Sequence, residues 1–458
     1  MPEPPLHFSL LDAWLTPRLD ATRWCVAFSG GPDSTALLHL LHSWCVQRDQ
    51  QTPTLVAVHV NHGMQGDADH WQAHCESLCS LWQIPIIVHR ASVENEGRGA
   101  EAAARTARYQ HFDTELQSGE VLFMGHHLDD QVETYFLRLM RGAGLSGLSA
   151  MPARRELGAG ELIRPLLKVS RQSLARYVSE HQLKTIADPS NLDTSIDRNF
   201  LRQNILPLLE SRWGGYRQTV ARAAEHAAVS QAVVDECLPP LKTLFSALGD
   251  PGFDQRELNG VSVQAAMIKL RRWLRGAGYP MPDQLLLEEF MRQLREGAAA
   301  SSPRLACSRY QLQRYQSRIF LLPEFIDEPE LANLPMAAAL TPGESISIAG
   351  VGEVAVVAAQ GGTGLRLQAG DKLELRWRRG GERCRPLGRP YHQRLKKLFQ
   401  EFAVPPWWRE RVPLLYLDDE LLAVGDLWLC ESSRLCSPEG GDTGLWQLCW
   451  QRKPCAFN

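Results

Sequence analysis

Ser29-Gly30-Gly31-Pro32-Asp33-Ser34 is the stretch on which the fold of this chain turns. An apolar run, Trp24 to Phe28, precedes it, and Leu37, Leu38, Leu40 and Leu41 follow. That order predicts a buried strand, a tight glycine turn and then a helix. The turn suits an anion. Gly30 and Gly31 let the backbone approach closely and take dihedrals that a side chain forbids. Pro32 fits a first helical turn, where its missing N–H has no helical partner anyway. Ser34 and Thr35 put hydroxyls and free N–H groups at the positive end of the helix dipole. Asp33 would repel phosphate unless a divalent cation lay between them. No Lys-Ser or Lys-Thr follows the glycines, so this is not a Walker A loop.

The loop resembles the pyrophosphate loop of the PP-loop ATP pyrophosphatase superfamily. Those enzymes split ATP to AMP and pyrophosphate and place the AMP on a carbonyl oxygen. Outward from the loop, Thr54–Val60, Ile84–His89 and Val121–Met124 read as strands, with helices around Asp69–Leu81 and Gly99–Leu116. Strands alternating with helices imply an α/β domain with a parallel sheet covered on both faces. Ligands sit at the carboxyl ends of such strands, and four polar clusters fall at or near those ends.

The first cluster is the phosphate loop. The second, His59, Asn61, His62 and Gly63, closes the second strand; a plain turn explains the asparagine and glycine, and the histidines add a candidate site. The third puts Glu101, Arg105 and Arg108 on one helix face beside Tyr109. Glu101 reads as a solvated partner, whereas either arginine can neutralise charge on a transferring phosphate. The fourth is Gly125-His126-His127-Leu128-Asp129-Asp130-Gln131 with Glu133. Acids at a helix start complement its dipole, but the paired histidines point to metal or acid–base chemistry.

A length of 458 residues leaves room for about three domains. No apolar run reaches the roughly 18 residues of a membrane span, and the proline-rich N-terminus lacks a signal-peptide pattern. The 11 cysteines are scattered and read as reduced thiols, so a cytoplasmic location and no membrane partner are expected. Cys75 and Cys79 fit a buried helix face better than a metal site. The net charge of −3 means that any RNA contact must come from local patches.

Arg138, Arg141, Gly142, Gly144 and Gly147 suggest a helix ending in a basic, glycine-rich loop. Arg164-Pro165-Leu166-Leu167, a helix from about Ser170, and a polar run from Asp188 through Arg198 and Arg202 to Pro207 suggest a wall of the same cleft. From about Tyr216 the style changes to helical spacing without chemical clusters: Val220–Leu244, Val263–Arg275 and Asp283–Glu296. The proline-rich connector Pro323–Pro342 is followed by alternating strands. Three domains are expected: a catalytic domain over 1–215, a small helical domain over 216–322 and a mixed α/β domain over 343–458. Between Arg376 and Arg411, eleven cations face three acids, with Tyr391, Phe399, Trp407 and Trp408 interleaved. Aromatics among arginines suit RNA, where bases stack and phosphates pair; the bland alternative is a soluble face over core aromatics.

Taken together, these motifs resemble the bacterial tRNA(Ile)-lysidine synthetase family. The resemblance rests on the phosphate loop, Val60-Asn61-His62-Gly63, Ala104-Arg105 with Arg108-Tyr109, and Gly125 to Gln131. It continues through Arg141-Gly142, Gly147-Leu148, Arg164 to Leu167 and Asp188 to Asn199, and resumes at Arg385-Pro386 and Lys396 to Glu401. Met64-Gln65 departs from the leucine-arginine that is common in the family. The resemblance implies a two-step ligase that uses ATP and Mg²⁺. ATP adenylates the carbonyl oxygen of the wobble cytidine of a tRNA(Ile) with a CAU anticodon, and the ε-amine of free L-lysine displaces AMP. It implies phosphate binding by Ser29, Gly30, Gly31, Pro32 and Ser34, with His59 and Asn61 at the nucleotide. Asp33 with Asp129 or Asp130 would hold the metal. Arg105 or Arg108 would steady the phosphate, Asp130 or Glu133 would bind the lysine ammonium, and His126 would accept a proton. RNA contacts are expected from Arg138, Arg141, Arg198, Arg202, Arg385, Arg394, Lys396 and Lys397. A homodimer is compatible with the sequence but not specified by it. The rival readings are a tRNA thiolation enzyme and a non-catalytic, ATP-responsive RNA-binding protein. Thiolation needs a sulfur-carrying cysteine, and none lies in the four clusters.

Overall fold

The computed structural model describes residues 5–48, 51–61, 68–90, 100–297, 301–323, 337–359, 363–368, 371–436 and 444–452, with backbone alone for 100–107. Two compact units emerge, Met1–Val234 and Asp235–Asn458.

The first unit holds a six-stranded sheet: β1 (Arg23–Ala27), β2 (Thr54–Asn61), β3 (Ile86–Arg90), β4 (Glu120–Phe123), β5 (Arg154–Leu157) and β6 (Gly160–Ile163). Their order is β3-β2-β1-β4-β6-β5. All neighbours run parallel except β5, which folds back antiparallel on β6. The edge hairpin adds two strands to the four expected. Alternate residues serve opposite faces. Trp24, Val26, Val121 and Phe123 pack with Leu37, Leu41 and Trp44 of helix Pro32–Val46 and with Leu174 and Tyr177 of helix Arg171–Glu180. Cys25, Leu122 and Leu162 face the other way, against Phe112 and Leu116. The sheet is thus covered on both sides, as a parallel sheet requires. The strand order reverses between β1 and β4, which sets the loops after these strands side by side.

In the second unit, a five-stranded antiparallel sheet runs in the order Leu244–Phe245, Pro251–Asp254, Arg318–Pro323, Tyr310–Tyr315, Arg304–Cys307. Helices Val263–Gly276 and Gln284–Glu296 pack on it through Leu270, Trp273, Phe290 and Met291. The stretch read from sequence as purely helical therefore also carries a sheet. The reason is visible in Arg318–Pro323. Ile319 and Leu321 join the helices, while Phe320 and Leu322 join the C-terminal core. A strand apolar on both faces loses the alternation that betrays a strand. Helix Tyr216–Cys237 also stops short of the expected Leu244, because Pro239 and Pro240 follow it.

The C-terminal part is mixed α/β, with two more five-stranded antiparallel sheets, a small hairpin pairing Arg383–Cys384 with Gln393–Arg394, and helix Leu395–Glu401. Three of the four aromatics expected to stack on bases are core: Phe399 and Trp408 are fully buried and Trp407 nearly so. Only Tyr391, 76% exposed, is free to meet a base. The indole N–H groups of Trp407 and Trp408 converge on the fully buried carboxylate of Asp250, at 3.2 and 2.9 Å. Among the described residues, no helix is long and apolar enough to cross a membrane.

Candidate active site

The phosphate loop is shaped by its own hydroxyls. Ser34 Oγ accepts the Ser29 N–H at 3.3 Å and donates to the Gly31 carbonyl at 3.1 Å. Gly31 caps helix Pro32–Val46, with Pro32 and Asp33 in its first turn. Gly30 has a φ of +79°, and a Cβ there would fall 2.6 Å from Ile186 Cδ1. Its carbonyl accepts the Ile186 N–H at 2.9 Å. Glycine is therefore needed at position 30 for both conformation and space. The loop after β4 is pressed against this turn, because a Cβ on Gly125 would meet the Asp33 carbonyl oxygen at 2.9 Å. Two clusters separated by some ninety positions in sequence thus adjoin.

His127 marks the junction. Its ring is 1% exposed, and Nε2 lies 3.6 Å from Asp33 and 3.5 Å from Asp130. Burial alone would lower its pKa, but the Asp33 hydrogen bond and the charges of Asp130, Asp33 and Asp129 outweigh that, and the net shift is upward. The sequence marks His127 only as half of the doubled histidine and does not separate its place from that of His126.

Three acids follow on helix Leu128–Met140. Asp129 accepts the backbone N–H of Arg171 at 2.9 Å and Arg217 Nε at 2.6 Å. Burial would raise its pKa, but these two donors hold it below the ordinary carboxylate value. Asp130 accepts the His127 N–H at 3.0 Å and Arg198 Nη2 at 2.7 Å. Glu133, 1% exposed, takes Arg198 Nε at 2.6 Å and Arg202 Nε at 2.7 Å. Arg198 lies on helix Asp197–Phe200 and Arg202 on the π-helical turn Leu201–Ile205 that continues it. Both were expected on RNA, yet their guanidinium groups are directed at these acids.

The other expected residues are placed as follows. His59 Nδ1 donates to the Phe28 carbonyl at 2.9 Å, and burial pushes its pKa down, so it ties β2 to the start of the loop as a neutral ring. Asn61 bonds Asp69 and Gln72 on the helix that follows β2. His62, Gly63, Met64 and Gln65 lie outside the described residues, as do the side chains of Glu101 and Arg105. Arg108 is half-buried on helix Ala100–Glu115. Arg138 donates to the carbonyls of Gly147 and Ala150, at 2.9 and 2.6 Å, and so fastens the glycine-rich loop. Arg141 is exposed, 3.9 Å from Asp197. Arg385 lies 3.5 Å from Glu431; Arg394, Lys396 and Lys397 are exposed. Arg164, which the sequence places only in the cleft wall, holds His126, and Arg217, which the sequence does not single out, holds Asp129.

Among the described residues, no three His, Cys, Asp or Glu side chains are grouped to enclose a metal. Magnesium does not need that: it keeps waters and takes one or two carboxylates beside substrate phosphates. Asp33, with 36% of its side chain exposed at the loop, meets that requirement. Each oxygen of Asp129 already accepts one bond, from the Arg171 N–H and from Arg217.

Comparison with known proteins covers almost the whole chain. A PP-loop domain family matches residues 9–209, a TilS substrate-binding domain family residues 258–320, and a TilS substrate C-terminal domain family residues 373–450. A protein of Serratia proteamaculans named tRNA(Ile)-lysidine synthase is 39% identical over 450 residues, 97% of this chain and 99% of the relative. Proteins of the same name from an Enterobacter species and from Escherichia coli O157:H7 are 38% and 37% identical, covering 88% and 92% of this chain and 92% and 96% of their own.

Proposed function

The chain belongs to the tRNA(Ile)-lysidine synthase family, and on that footing we propose which residues carry each step. It is an ATP-dependent ligase that forms lysidine on tRNA(Ile). The observation that carries the assignment is the junction of Asp33, His127 and Asp130, where the phosphate loop meets the acids of the neighbouring crossover.

N–H groups of the turn between Gly30 and Ser34, Pro32 having none, take the pyrophosphate, favoured by the helix dipole. Asp33 holds Mg²⁺, which when bound neutralises phosphate charge. His127, buried between Asp33 and Asp130, has its pKa raised by them, so its protonation is favoured where it offsets their mutual repulsion. Arg105 or Arg108 supplies the guanidinium that stabilises charge developing on the transferring phosphate. A cytidine carbonyl is a poor electrophile; attached AMP makes its oxygen a leaving group, and the ε-amine of lysine takes its place. Asp130 and Glu133 bind that side chain's ammonium, with Arg198 holding both acids in place. A carboxylate has about four lone-pair sites, so each retains acceptor capacity beside its arginine bonds. Exposed Arg141, Arg394, Lys396 and Lys397 bind the phosphates of a tRNA with a CAU anticodon.

Protein, ATP and that tRNA are mixed with each amino acid in turn, and AMP and modified nucleoside are measured. AMP formation with lysine alone is expected. The variant Asp130→Ala should lose modification by about 100-fold or more while retaining tRNA affinity. Normal turnover by that variant would remove Asp130 from the lysine site.

A further inference from the structure

Arg164, at the end of β6, is 3% exposed. All three of its nitrogens are directed at acceptors. Nη1 donates to the Pro152 carbonyl at 2.7 Å, Nη2 to the Tyr109 hydroxyl at 3.3 Å, and Nε to His126 Nδ1 at 3.3 Å. The Tyr109 hydroxyl in turn reaches Met124 Sδ at 3.6 Å, so the frame that holds Arg164 closes just before His126.

A guanidinium is a donor only and keeps its charge at every pH a protein survives. The nitrogen that accepts from it must therefore carry a lone pair. In His126 that is Nδ1, which leaves the single ring proton of the neutral imidazole on Nε2. A second proton, placed on Nδ1, would break the Arg164 bond and set two cations together at a largely buried point.

We infer that Arg164 fixes His126 as a neutral Nε2–H donor, so that this imidazole serves phosphoryl transfer as a hydrogen-bond donor rather than taking the proton of lysine. The inference rests on the reading of the site given above. His126 follows Gly125, whose Cα stands against the backbone of Asp33. The residue that carries the donor therefore adjoins the phosphate loop, where a fixed N–H can act on charge developing at a phosphoryl oxygen. Arg164 is a positioning residue, which acts only through the ring it orients.

The test uses full-length protein labelled with ¹⁵N in histidine, with the His126 signals identified by their loss in His126→Gln. At neutral pH, Nε2 should appear protonated and Nδ1 as a bare acceptor, and Arg164→Met should mix the tautomers. A ring protonated on Nδ1, or on both nitrogens, overturns the inference. A second arm compares two amides. Glutamine places its N–H₂ near the position of Nε2 and asparagine near that of Nδ1. His126→Gln should keep AMP formation within about 10-fold of the parent, and His126→Asn should lose about 100-fold. Equal loss in both overturns the donor role. The spectroscopic arm needs no turnover, so failure of the ligase reading itself would appear separately, as parent protein that forms no AMP with lysine.

Discussion

Arg198 bridges two carboxylates at once: its Nε meets Glu133 at 2.6 Å while its Nη2 meets Asp130 at 2.7 Å. Glu133 is almost wholly buried, so losing one of its two arginine partners leaves only Arg202 to balance its charge in a poor solvent. Arg198→Ala should raise the KM for lysine by about 10-fold or more and cost about 1 to 3 kcal/mol of stability, Arg202 still pairing with Glu133. Arg198→Lys should recover only part, because an ammonium cannot reproduce the two-pronged fork. Lysine-dependent AMP release and urea melts report the two effects, and an unchanged lysine KM in the alanine variant would disconnect Arg198 from lysine.

His127 makes the site sensitive to pH. Its folded pKa is raised, so its stabilising contribution is complete below the unfolded value, near 6.5, and is lost as pH rises through the folded value. The difference in melting stability between parent and His127→Gln should therefore be largest in mild acid and shrink in alkali. A difference that grew with pH would contradict the upward shift.

Neutralising Arg394, Lys396 and Lys397 together should weaken tRNA binding. If each meets one phosphate, the slope of log affinity against log salt should fall by about 2 to 3. Affinity that stays the same throughout a salt titration would separate this surface from RNA.

Asp250 is a buried acid whose role is to receive two indoles. Burial raises its pKa against the bonds from Ser246, Trp408 and Trp407. Its effect on stability is therefore most favourable in acid, below the unfolded value, and declines as pH rises through the folded one. Asp250→Asn keeps an acceptor oxygen and sheds the charge, so its cost should be about 1 kcal/mol or less. Asp250→Ala strands two buried N–H groups and should cost about 2 to 4 kcal/mol. Thermal melts of the two variants give the comparison, and equal losses would argue against the indole contacts.

The phosphate loop and the cluster after β4 were legible because each is a short run whose chemistry is local. Strand ends could be placed from apolar runs, and the parallel sheet then brought the clusters together. Partners distant in sequence were not legible. Arg198 lies 65 positions from Glu133 and Arg217 lies 88 from Asp129. A lone arginine reads the same whether it meets RNA, a carboxylate or, as Arg138 does, the carbonyls of its own loop. The aromatics misled for a related reason. Trp408 beside Arg409 looks like a base-stacking pair in sequence, and only the fold shows the tryptophan turned inward.

The strand Arg318–Pro323 gives one face to each of two cores, and Asp250 clasps a tryptophan pair more than a hundred and fifty positions away. A chimera that exchanged only residues 258–320 with a relative, leaving 373–450 behind, would sever Phe320 from its neighbours and ask a foreign partner to fill the space. These two segments must be inherited, or grafted, as one cassette.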